Sequence, residues 1–453
     1  MTAGKLPLVT KFGFGAGDVA NNLYFTTASL YLLYYYTDVL GLSPAVGGWI
    51  FAAALGWDAI SDPIMGYLAS RTRSRWGRYR PYLLFGAVPL AASWVLIFVP
   101  TGLTGWALIL FALAAHMLFR TVYTIVGMPY LSLTAAMTAD SAERGNLAAF
   151  RMIGATGCGL FVAFSTLKLA ELFGQGDTMR GFLLTAVVYG SVATALLFWT
   201  FATSFERAET EESHAARPDR KAMVAMLRAN RPLHLIALWL LANSMAGTLF
   251  GKTLPYVLKY DLGRADLIGP CLAAMTAAAM VSIPVWAWVA RRTSKRAITL
   301  GGASVGLIGY ATMLIVPPAP GALLFANLAW IGFGAGAGYL AFWSMVPDTV
   351  EYGQYRTGTR AEGVVFGVIA FVQKAALGIS VGILGELLAL IGYTANTGQA
   401  PETLAGMRTL LTVGPLIMLT LGMIAISFYA IDARLHARLV RVLRRRHPGD
   451  MPA

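Results

Sequence analysis

Charge is scarce in this chain. Only 13% of its 453 residues are Asp, Glu, Lys or Arg, where a soluble domain carries about 25%. Cysteine is nearly absent: Cys158 and Cys271 both fall in apolar stretches. They allow no disulfide framework and no zinc spacing, and they read as buried thiols. The five histidines include no HExxH pair, and no GxSxG occurs. Hydrolase chemistry inside a membrane would need such a set. Nor does Met1 to Lys11 resemble a cleavable signal, since the apolar stretch behind it is too long for a signal core.

Apolar residues are what the chain has in quantity, at 57%, with a mean hydropathy of +0.63. A membrane span needs about 20 mostly apolar residues. Twelve segments meet that need, at 12–37, 44–69, 82–100, 105–135, 147–172, 182–204, 232–258, 266–290, 297–316, 322–347, 364–393 and 407–431. The net charge of +13 is unevenly placed. Arginines crowd Arg71 to Arg80, Arg217 to Arg231, Arg291 to Arg296 and Arg434 to Arg446. The connections at Asp38–Pro44, Pro100–Gly105 and Pro317–Gly321 hold no Lys or Arg. This alternation puts the basic loops and both termini in the cytoplasm. It also argues against nucleic acid as the reason for the charge. The expectation is an all-α membrane protein, multi-pass in the cytoplasmic membrane, with twelve transmembrane helices.

One long polar connection, 205–231, divides the chain into 1–204 and 232–453, six segments each. A weak repeat supports that division: Asp62-Pro63-Ile64-Met65-Gly66-Tyr67-Leu68-Ala69-Ser70-Arg71-Thr72 aligns with Ile283-Pro284-Val285-Trp286-Ala287-Trp288-Val289-Ala290-Arg291-Arg292-Thr293. Two six-helix bundles related in this way are the pattern of the major facilitator architecture. Ile283 stands where the first copy has Asp62, so the shared fold does not require that carboxylate.

Asp58 and Asp62 lie four apart inside the second segment and share a helix face. A charge at bilayer depth costs about 2.5–3.5 kcal/mol on insertion scales, and two carboxylates on one face repel. A cation between them removes that conflict. Asp18 and Lys374 are further ionisable groups within apolar segments. Asp18 and Asn22 share a face, and a carboxylate accepts well from vicinal sugar hydroxyls. The alternative for Asp18 is a helix cap after the run Phe12-Gly13-Phe14-Gly15-Ala16-Gly17. Tyr24, Phe25, Trp57 and Trp343 are candidate apolar faces for a bound substrate. In the fourth segment His116, Arg120, Thr124 and Gly127 form one stripe. Three readings of Arg120 stay open: partner of a helix carboxylate, site for a substrate carboxylate, or a side chain snorkelling to the surface.

The residues resemble one family, the glycoside–pentoside–hexuronide:cation symporters of the major facilitator superfamily, which include the melibiose and glucuronide carriers. The marks are Gly17-Asp18-Val19-Ala20-Asn21-Asn22, Tyr35-Tyr36-Thr37-Asp38 and Trp57-Asp58-Ala59-Ile60-Ser61-Asp62-Pro63. They continue with Arg75-Trp76-Gly77-Arg78-Tyr79-Arg80-Pro81, Pro347-Asp348-Thr349-Val350-Glu351-Tyr352-Gly353, Gly358-Thr359-Arg360-Ala361-Glu362-Gly363 and Gly392-Tyr393-Thr394-Ala395-Asn396. The resemblance implies a cation site at Asp58, Asp62 and Thr124, holding sodium or a proton. It implies sugar contacts at Asp18 and Arg151, with Lys374 near both sites. Departures occur at Leu55, where an arginine is common, and at Gly127, Leu131 and Ser61. Arg120 is a candidate replacement for the charge missing at Leu55.

The implied activity is symport of a sugar with sodium or a proton by alternating access. No cofactor beyond the coupling ion and no partner chain is expected, and the protein is read as a monomer in the lipid bilayer. The alternatives are a carrier of another, anionic substrate and a transport-inactive sugar sensor. Glu143, Arg144, Asp348, Glu351, Arg360 and Glu362, with Asp140, form two charge clusters. They read as gating pairs between the halves or, more plainly, as solvated loop charges.

Overall fold

The structure is a computed structural model that describes residues 6–138, 141–206, 220–359 and 362–446. Among them every regular element is helical. The helices are α1 (Leu8–Tyr34), α2 (Pro44–Arg71), α3 (Arg80–Leu96), α4 (Gly105–Met137), α5 (Ser141–Gly174), α6 (Thr178–Thr203) and α7 (Arg220–Ala229). They continue with α8 (Arg231–Tyr256), α9 (Ile268–Arg292), α10 (Lys295–Ile315), α11 (Ala322–Thr357), α12 (Glu362–Leu390), α13 (Pro401–Ser427) and α14 (Ala433–Arg446). Among the described residues, nine helical stretches are long and apolar enough to cross a membrane. They correspond to α4–α6 and α8–α13.

Polar caps start several helices. Ser43, Asp177, Asn230 and Ser294 each accept a backbone N–H three residues on. The glycine-rich run before Asp18 is helix interior, not helix start, because α1 begins at Leu8. Its glycines permit close packing: a Cβ on Gly15 would lie 3.1 Å from the Phe150 carbonyl, and one on Gly17 would lie 3.0 Å from the Thr200 hydroxyl.

Two compact units emerge. The first holds residues 1–213 with 266–273 and 381–399, and the second holds 214–265, 274–380 and 400–453. In the first, α1 packs on α5 and α6, α2 on α4, and α3 on α4 and α6. In the second, α8 packs on α13, and α10 on α11 and α13. The pairs α1·α6, α3·α4 and α3·α6 thus recur as α8·α13, α10·α11 and α10·α13. Both α1 and α8 end in a five-residue π turn, Tyr35–Val39 and Val257–Asp261.

Two helices lie outside the twelve apolar segments. α7 falls inside the polar interval, and α14 in the basic tail. Each has one apolar face that docks on α11, which runs on to Thr357. Met226 of α7 and Leu439 and Leu443 of α14 are buried, and the Asn230 amide donates to the Thr349 carbonyl at 2.8 Å. Hydropathy averaged over a span misses short amphipathic helices of this kind.

Candidate functional site

The packing of α2 on α4 brings two carboxylates to the α4 stripe. Arg120 Nε donates to Asp58 Oδ1 at 3.1 Å, and its Nη2 donates to Oδ2. This two-pronged pair is closed off from solvent, with Arg120 3% exposed and Asp58 0%. One turn along, the Thr124 hydroxyl donates to Asp62 Oδ1 at 2.8 Å, and Ser61 donates to Thr124 Oγ1 at 3.4 Å. Trp57 Nε1 donates to the Thr121 hydroxyl at 2.9 Å, and His116 Nδ1 lies 3.1 Å from the Tyr36 hydroxyl. Burial removes the snorkelling reading of Arg120. A positive charge meets Asp58 from α4, while Leu55 on α2 is a buried apolar side chain.

A second pair joins α1 to α5. Arg151 Nε and Nη2 both donate to Asp18 Oδ1, at 3.2 and 3.0 Å. Both side chains are partly open. Tyr123, on α4, flanks the first pair with its ring. Its ring centroid is 5.3 Å from the Arg120 guanidinium, and the Tyr130 ring is at the same distance from that of Arg151.

Asn22 turns back on its own helix, its amide donating to the Asp18 carbonyl at 2.9 Å. Its neighbour Asn21 donates to the Gly17 carbonyl, and its Oδ1 is buried with no hydrogen-bond partner among the described residues. A Cβ on Gly127 would lie 4.0 Å from that oxygen. Spacing from Asp18 singled out Asn22. The helix rotation that turns Asn21 towards α4 is set by packing, and the small residue at 127 is its one trace in the sequence.

Lys374 and Trp343 belong to the second unit. Lys374 is half-buried on α12, and Trp343 is 46% exposed on α11, edge-on to Phe342. Four of the expected gating charges have partners within their own units. Glu143 takes Lys11 Nζ at 2.9 Å and the Leu6 N–H at 3.0 Å, and Arg144 Nε donates to the Thr138 carbonyl at 2.8 Å. Lys295 Nζ bridges both Asp348 oxygens at 2.9 and 2.8 Å, and His436 Nε2 lies 2.6 Å from Glu351. Arg360 and Asp140 lie outside the described residues, and Glu362 enters only as the first residue of α12.

Two runs singled out by resemblance also meet each other. The Tyr393 hydroxyl donates to Asp38 Oδ2 at 2.8 Å, and the Asn396 amide donates to the Asp38 carbonyl at 2.6 Å. Asn396 has φ +58°, a left-handed conformation that asparagine tolerates.

A family model described as MFS/sugar transport protein matches residues 13–433. The chain is 32% identical to an uncharacterized symporter, YnaJ, of Bacillus subtilis (strain 168), over 98% of this chain and 96% of that one. It is 28% identical to the isoprimeverose transporter of Lactiplantibacillus pentosus, over 98% and 93%. It is 29% identical to the glucuronide carrier protein homolog of Escherichia coli (strain K12), over 95% and 94%. Among solved structures, the inward-open xylose transporter XylE from E. coli superposes with a TM-score of 0.66 at 12% identity, over 96% of this chain and 98% of that one. At that identity the likeness is one of fold.

Proposed function

The chain belongs to the MFS/sugar transport protein family, and on that premise we propose that it imports a glycoside, pentoside or hexuronide together with a cation, sodium or a proton. It is a multi-pass protein of the cytoplasmic membrane and a transporter, not an enzyme. In this reading α1, α2 and α3 cross the membrane along with the nine apolar stretches, giving twelve crossings. α1 and α2 carry the ionisable site residues, and α3, at 17 residues, is the shortest of the twelve. An even number of crossings puts both termini on one side, and the basic loops make that side cytoplasmic.

The observation that carries the sugar reading is the Asp18–Arg151 pair. Both guanidinium bonds fall on Oδ1, which leaves Oδ2 to accept from a sugar hydroxyl. Arg151 presents donors to ring or hydroxyl oxygens from the same spot. Trp343 and Lys374, in the second unit, are proposed as further substrate residues. The ion is assigned to Asp58, Asp62 and Thr124, one helix away. The names of the relatives, an isoprimeverose transporter and a glucuronide carrier, support the substrate class.

Alternating access would move 1–204 against 232–453 around this site. The charges at Glu143, Arg144, Asp348 and Glu351, with Arg360 and Glu362, would exchange partners as the cytoplasmic side closes. A carrier of another anionic substrate, outside the hexuronides, is less well supported, because the Arg120 charge is already paired with Asp58. The protein is proposed to act as a monomer without a cofactor.

Uptake of a panel of radiolabelled neutral and acidic glycosides into proteoliposomes tests the reading. Accumulation against a gradient, driven by sodium or pH, is expected for at least one sugar. Asp18→Ala should bind none of that sugar while still inserting as a monodisperse protein. Unchanged affinity in Asp18→Ala would make Asp18 a packing residue.

A further inference from the structure

We propose that Arg120 is the ion-selectivity residue of this carrier, a tethered cation that fills the seat beside Asp58 and rejects sodium. The inference rests on the symport reading above. Sodium would need oxygen ligands from Asp58, Asp62 and Thr124, and the three do not fit it here. Both Asp58 oxygens are engaged by the guanidinium. Thr124 gives its hydrogen to Asp62 and receives one from Ser61.

An incoming sodium ion would also meet a fixed positive charge. Two like charges about 4 Å apart at an effective dielectric of about 20 repel enough to weaken binding on the order of a thousandfold. The guanidinium cannot escape by losing its proton. Nor can it swing into water, since it is 3% exposed and flanked by the Tyr123 ring. A proton needs no coordination shell, and it is the ion left to drive uptake.

Binding of radioactive sodium to purified protein, without sugar, tests this independently of the substrate. Wild type should show no saturable binding. Arg120→Gln should gain it, at least about a hundredfold tighter, and adding Asp62→Asn should remove it. Arg120→Lys keeps the charge and should behave as wild type. Arg120→Met serves in place of the glutamine variant if that does not fold. Saturable sodium binding by wild type would overturn the proposal. So would a lack of sodium binding by every folded variant that loses the charge.

Proteoliposome uptake of methyl β-xyloside and p-nitrophenyl β-glucuronide gives a second readout. A pH gradient should drive wild-type accumulation of at least one probe, and a sodium gradient should not. Sodium-driven accumulation would sink the selectivity claim while leaving the symport reading intact. No accumulation of either probe under either gradient would count against the symport reading, and the sodium-binding result would still decide the role of Arg120.

Discussion

Asp58 and Asp62 are one helical turn apart, yet they meet different chemistry. Asp58 is fully buried against a guanidinium, and Asp62 is half-buried against a hydroxyl. Neutralising them should therefore have unequal structural cost. Asp58→Asn strands a buried arginine, which costs about 3–5 kcal/mol when one partner of such a pair is removed. Asp62→Asn still accepts from Thr124 and should cost under about 1.5 kcal/mol. Both should lose gradient-driven accumulation. Thermal unfolding in detergent separates the two, and an Asp58→Asn protein that melts with wild type would show that the pair adds nothing to stability. The stripe of His116, Arg120, Thr124 and Gly127 was legible from a 3.6-residue period alone. That Arg120 meets Asp58, with Thr124 meeting Asp62, depends on the register between α2 and α4, which periodicity within one helix does not encode.

At the scale of elements, the loop between α2 and α3 shows how a helix start is completed from far away. α3 has no side-chain cap of its own at Tyr79. The carboxylate of Glu206, just past α6, accepts the N–H groups of Arg78, Tyr79 and Arg80 at 2.7, 2.8 and 3.0 Å. Gly77 makes room, with φ +104° and a virtual Cβ 2.5 Å from that carboxylate. Glu206→Ala should cost about 1 kcal/mol, the usual worth of a cap. Gly77→Ala should cost more, since it adds strain at positive φ and displaces the carboxylate. Trypsin cleavage after Arg75 and Arg78 should quicken in both proteins, and an unchanged rate would mean that Glu206 does not hold the loop. The motif around Gly77 was visible in the sequence. Its partner Glu206 lies in the polar connection 205–231, and contacts across more than a hundred residues leave no local pattern.

For the whole molecule, the repeated halves were visible in a short alignment and return as repeated helix pairs and repeated π turns. The division into units was less visible, because two helices cross it. α9 is divided at 273/274 and α12 at 380/381, so Lys374 belongs to the second unit while residues 381–399 belong to the first. Within the first unit, Tyr393 and Asn396 fasten the end of α12 to Asp38. If transport moves 232–453 against 1–204, residues 381–399 must part from the end of α1 in each cycle. Tethering them should then stop transport. The double variant Asp38→Cys/Tyr393→Cys, joined by a short cleavable bis-thiosulfonate, should lose uptake and regain it when a reductant cuts the tether. The two native cysteines are free and buried, so the reagent is directed to the introduced pair. Cross-linking within the double variant, confirmed by mass, is the control, and each single variant should be unaffected by the reagent. Full uptake by the tethered protein would show that 381–399 travels with α1 as one body. The moving boundary would then lie within α12 itself, near the residues that follow Lys374.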